Sequence, residues 1–113
     1  MHEMSLAEGI IQIIEEQSTV QNFSMVTMVH LDIGKLSHIE VDSMRFCFEA
    51  VCKDTMVEGA ILQISESPGI GWCMDCARKI EYPALYEPCL HCHGHKIQIT
   101  SGNEMLIKEL EVR

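Results

Sequence analysis

Two Cys-x-x-Cys steps, Cys73-Met74-Asp75-Cys76 and Cys89-Leu90-His91-Cys92, constrain this chain more than any other feature; twelve residues separate their inner cysteines. A Cys-x-x-Cys turn brings two thiolates to one side of a tight loop. Two such turns facing each other supply the four soft ligands of a tetrahedral Zn(II) site. The pattern predicts a zinc-ribbon-like module whose four thiolates fill the coordination sphere, so that the site is closed and structural. The run Cys89-Leu90-His91-Cys92-His93 also matches covalent haem attachment, but that reading leaves Cys73 and Cys76 unused and requires export. The opening Met1-His2-Glu3-Met4 has no basic segment, continuous apolar segment or small-residue cleavage site, so a cytoplasmic chain without a secretory signal is expected. Reduced thiols then disfavour two disulfides. A thioredoxin-like motif opens a helix, whereas Pro68, Gly69 and Gly71 before the first pair and Gly94 after the second describe loops.

The 113 residues make one small domain, or one domain with an insert. A chain of this size buries only about two-thirds of its unfolded surface, so a structural zinc matters for stability. Hydrophobic residues make up 47%, yet the longest apolar stretch, Ile10-Ile11 then Ile13-Ile14, falls far short of the ~20 residues of a membrane span. A formal charge of −9, from 8 basic and 17 acidic residues, argues against a nucleic-acid partner. Arg78-Lys79 is too small a basic cluster to reverse that. No phosphate-cradling glycine loop, Gly-x-Ser-x-Gly elbow or His-Glu-x-x-His pair is present, and no enzymatic activity is expected.

In chain order, residues 5–17 read as an amphipathic helix, with Ser5 and Glu8 as a capping box and Leu6, Ile10, Ile13 and Ile14 on one face. Residues 25–33 alternate as a strand that Gly34 ends. A second helix is expected over residues 41–53, with Met44, Cys47, Phe48 and Val51 inward and Ser37 or Asp42 as cap. Cys47 and Cys52 read as small buried hydrophobes. Residues 60–65 suggest a strand, and residues 79–82 a small ribbon strand between the knuckles. Residues 96–100 and 105–112 flank a Gly-Asn turn that suits a hairpin. The expected fold is mixed α/β: two helices packed on a small sheet, with an inserted zinc-ribbon-like module. Residues 1–66 with 97–113 would form the helix-and-strand domain, and residues 67–96 the zinc-binding domain.

At the N-terminus, the Met1 amine, the His2 amide nitrogen and the His2 imidazole can chelate one ion through fused small rings, a nitrogen set suited to Ni(II) or Cu(II). The ordinary alternative is an incidental exposed histidine. Beyond this, Met1-His2-Glu3-Met4-Ser5-Leu6, Ile33-Gly34 with Ser37 and Glu40, Phe46-Cys47-Phe48-Glu49, Glu58-Gly59, the paired Cys-x-x-Cys and Gly102-Asn103-Glu104 resemble the HypA/HybF family of hydrogenase nickel-incorporation proteins. The resemblance covers essentially the whole chain in order. It implies a metallochaperone that carries Ni(II) as cargo and helps insert it into the large subunit of a [NiFe]-hydrogenase. It implies as partners that subunit and a HypB-type GTPase, with a homodimer left open. It places nickel at Met1, His2, Glu3 and Glu40, and zinc at Cys73, Cys76, Cys89 and Cys92. His91, His93 and His95 crowd the second knuckle, either as surface residues or as pH-sensitive neighbours of the zinc. The rival reading is a zinc-ribbon adaptor without a nickel role.

Overall fold

A computed structural model describes residues 2–113, which form two helices and six strands: α1 (His2–Gln21), β1 (Val26–Gly34), α2 (Val41–Cys52), β2 (Ile61–Ser67), β3 (Ile70–Cys73), β4 (Arg78–Glu81), β5 (Ile97–Ser101) and β6 (Met105–Val112). Three strands form a sheet in the order β2-β1-β6 and three form another in the order β4-β3-β5. The chain divides into two compact units. One comprises Met1–Leu31, Ile39–Ile64 and Ile107–Arg113; the other comprises Asp32–His38 and Ser65–Leu106.

In the first unit, α1 is longer than the apolar periodicity suggests and begins at His2. Ser5 therefore lies inside the helix rather than capping it. The buried stripe is Ala7, Ile10, Ile11 and Ile14, a run of i, i+3, i+4 and i+7. Ile13, expected inside, is 50% exposed. Helix α2 buries Met44, Cys47, Phe48 and Cys52, and its N-cap is Glu40 in extended conformation with no side-chain cap bond. Neither Ser37 nor Asp42 holds that position, because the chain turns into the helix between them. The two helices pack on each other. Val26, Met28, Val29 and Leu31 of β1 are buried with them. Reciprocal amide bonds between Met25 and Arg113 (3.4 and 2.8 Å) and the Thr27 hydroxyl donating to the Glu111 carbonyl set β6 antiparallel to β1.

The second unit is built on β3, which pairs antiparallel with β4 and with β5. Gly71 and Cys73 face inward, and the small core comprises Leu36, Cys73, Ile80, Tyr82 and Cys89. The expected hairpin of residues 96–112 does not form, because β5 pairs with β3 while β6 belongs to the other sheet. Gly102 serves a close approach instead. Its φ is +87°, and an added Cβ would run into the backbone of Pro68 and Gly69. In the same unit the buried Asp32 carboxylate accepts the hydroxyls of Ser65 (2.7 Å) and Ser67, which holds the end of β2 to β1.

Candidate metal centres

The sulfurs of Cys73, Cys76, Cys89 and Cys92 all lie within 4.8 Å of one another. Cys73 and Cys92 Sγ are 3.6 Å apart, and Cys76 and Cys89 Sγ are 3.8 Å apart. Four sulfurs at zinc's usual bond length sit about 3.8 Å from one another, whereas a disulfide brings two to about 2.05 Å. The donor set and its spacing fit a structural Zn(II) site.

Local backbone chemistry explains the convergence. Cys73 ends β3, and the residue after the second cysteine of each pair, Ala77 or His93, turns left-handed with φ of 54° or 61°. In the second knuckle amides point back at sulfur: His91 N–H donates to Cys89 Sγ and Gly94 N–H to Cys92 Sγ, each at 3.4 Å. The amides around Cys89 lower its thiol to about 7 against the opposing effect of burial. Burial and the neighbouring thiols push Cys76 up to about 12. These amide donors escape sequence reading, since every residue but proline carries one; the pairs of cysteines were the signal that located them. His91, His93 and His95 are exposed, and Arg78 Nη1 lies 3.3 Å from His91 Nδ1.

A second cluster stands at the start of α1. The His2 side chain is 61% exposed and its Nδ1 lies 3.8 Å from Glu3 Oε2, while the Glu3 side chain is only 14% exposed. The same Glu3 oxygen accepts the backbone N–H of Glu40 at 3.3 Å. Glu3 thereby ties the first turn of α1 to the N-cap of α2. The Glu40 amide, followed by Glu3's own amide, holds the Glu3 carboxyl below its ordinary value, and the adjacent His2 adds to this. An imidazole and an anionic carboxylate thus stand side by side. Met1, whose amine completes the expected set, lies outside the described residues.

A helix-and-strand unit and a four-thiol zinc-ribbon-like unit on one chain define a small mixed α/β metal-binding protein. The family model described as "Hydrogenase/urease nickel incorporation, metallochaperone, hypA" matches residues 1–112. The hydrogenase maturation factor HypA of Rhodopseudomonas palustris (strain BisA53) is 52% identical over 112 residues, and that of Azotobacter vinelandii 49%, with 99% of both chains covered in each comparison. The solution structure of the Ni metallochaperone HypA from Helicobacter pylori superposes with a TM-score of 0.73 at 29% identity, covering 97% of this chain and 96% of that one. The chain belongs to the HypA family of nickel-incorporation metallochaperones. No helix among the described residues is long and apolar enough to cross a membrane.

Proposed function

We propose that this chain carries Ni(II) on the Met1 amine, the His2 amide and imidazole, and the carboxylates of Glu3 and Glu40, and delivers it to the large subunit of a [NiFe]-hydrogenase. Cys73, Cys76, Cys89 and Cys92 hold zinc in this reading. Nickel binding belongs to the helix-and-strand unit in this reading, and zinc binding to the unit that holds the four cysteines. The carrier works in the cytoplasm, alone or as a homodimer, with a HypB-type GTPase as partner and without enzymatic activity of its own.

The observation that carries this reading is the Glu3 carboxylate accepting the Glu40 amide beside the His2 imidazole. It brings the backbone of Glu40 to the side chain of Glu3, next to His2, although residues 3 and 40 lie 37 positions apart. The start of α1 contributes as well. The first N–H groups of a helix have no intrahelical acceptor, so the amide of His2 is free of the bond that would oppose its deprotonation by Ni(II) or Cu(II). The two metals meet opposite requirements: zinc is enclosed by thiolates, whereas an exposed terminal imidazole leaves the cargo open to a competing protein.

Nickel titration of the untagged, zinc-loaded protein tests the site. One Ni(II) per chain is expected. His2→Ala should abolish binding, Glu40→Ala should weaken it less, and both variants should keep their zinc. One or two residues added before Met1 should also weaken binding although every native side chain remains. An extended protein that binds nickel as tightly as the native one contradicts amine ligation.

A further inference from the structure

We infer that the second unit carries a docking cavity for an acidic, apolar peptide segment of a partner protein, between the turn at residues 35–38 and the loop at residues 83–86. The cavity has a volume of about 310 Å³; Lys35, Leu36 and His38 line one side, and Pro83, Leu85 and Tyr86 the other. Both walls belong to the second unit.

Charge selects the occupant. The chain carries −9 overall, yet the described residues that line this cavity include a lysine and a histidine and no carboxylate. A partner carboxylate would meet the Lys35 ammonium and the His38 imidazole, and its neighbouring apolar side chain would cover Pro83, Leu85 and the 89% exposed Tyr86. An exposed tyrosine is of the residue type enriched at interfaces, whose charged groups stand at the polar rim, as Lys35 would here.

Backbone conformation gives independent support. Among the described residues, six other than glycine have left-handed φ. Asn22 and Asp54 follow the ends of α1 and α2, and Ala77 and His93 close the knuckles. The two that remain, His38 (φ 63°) and Tyr86 (φ 68°), both line this cavity. Histidine enters this region more readily than most residues, but a bulky residue such as Tyr86 is strained there, and such strain persists where the surroundings enforce it and collects at ligand sites.

Both walls are also held in place without a ligand. Lys35 N–H donates to the Ser67 carbonyl (2.9 Å) and Leu36 N–H to that of Gly102 (2.8 Å). Tyr82 fastens the other wall, its N–H donating to the Gly69 carbonyl and its hydroxyl to the Glu87 carbonyl, both at 2.7 Å. A pre-formed cavity spares the occupant part of the ordering cost.

The test is a titration of zinc-loaded, ¹⁵N-labelled full-length protein with the capped peptide Glu-Leu-Glu-Phe, read by amide chemical shifts. Gln-Leu-Gln-Phe and free succinate are the controls. The acidic peptide should shift residues 35–38 and 84–86, whereas the neutral peptide and succinate bind at least about fivefold more weakly. Lys35→Glu should weaken binding at least about fivefold through like-charge repulsion, and Tyr86→Ala should weaken it with the fold intact, since both side chains are exposed. Raising salt from about 0.1 to about 0.5 M should weaken it also. Equal binding of the two peptides, succinate binding as tight as the peptide's, shifts confined to other residues, or no shift at millimolar peptide would each overturn the inference. Nickel is absent from all these measurements, so their outcome is separate from that of the nickel titration.

Discussion

The Glu40 amide favours the charged form of Glu3. An N–H aimed at a carboxylate stabilises the anion and opposes the neutral acid, so the folded-state pKa of Glu3 lies below its ordinary value. A depressed carboxyl pKa adds stability that is fully present above the unfolded value and is lost as pH falls through the folded one. In a ¹³C-detected titration, Glu3 should therefore protonate below the ordinary glutamate value; a midpoint at or above that value would contradict the contact. The thiols behave differently. In the ordered unit Cys76 is pushed up to about 12 and Cys92 is also raised, and in a disordered chain an ordinary thiol titrates near about 8.5, so in either state both keep their protons at neutral pH until metal replaces them. Zinc uptake near neutral pH should then release about two protons or more, measurable as the dependence of binding enthalpy on buffer ionisation. Release of fewer than one proton would refute this. The four cysteines were legible in the sequence because ligand type and spacing are local and rare. The partner of Glu3 was not, because a main-chain amide of a residue distant in the chain leaves no mark on side-chain identity.

At the scale of elements, the periodicity was legible and its phase was not. Ile10, Ile11, Ile13 and Ile14 admit two overlapping stripes, one through Leu6 and Ile13 and one through Ala7 and Ile11. The structure takes the second, burying Ala7, Ile10, Ile11 and Ile14, because α2 selects the face that α1 presents. Alanine substitution separates the two. Ile14→Ala, at a fully buried position, should cost about 2–5 kcal/mol in denaturant unfolding, while Ile13→Ala should stay below about 1 kcal/mol. Equal costs would mean that the helix is turned otherwise. The strand positions β1, β2 and β6 were readable from alternation and turn residues. The pairing of β5 was not, because Ser101-Gly102-Asn103-Glu104 has hairpin composition. What parts β5 from β6 is tertiary: Gly102 admits the backbone of Pro68 and Gly69 where any side chain would clash.

At the scale of the whole molecule, each unit has its own core, and they depend on different forces. The first buries two helices and the strand segments between them, with Ile14, Leu31 and Met44 fully covered. The second has five buried core residues, two of which are the cysteines Cys73 and Cys89. With so little apolar area, its order depends on the metal, since a metal site that assembles only on folding contributes its binding free energy to stability. Cys73→Ala removes one sulfur and leaves an incomplete site. The variant should lose its zinc, and amide signals of residues 65–106 should collapse toward random-coil positions. The helical circular dichroism should persist, because α1 and α2 both belong to the first unit. His2, Glu3 and Glu40 belong to that unit too, so the variant should still bind one Ni(II) with affinity within about threefold of the native protein, roughly the change that 0.6 kcal/mol makes. Titrating nickel into native and Cys73→Ala protein, with zinc content measured on both, decides the matter. Retention of zinc and of the 65–106 signals would refute the four-thiolate assignment, and loss of nickel binding along with zinc would show that the two metals are coupled rather than held independently.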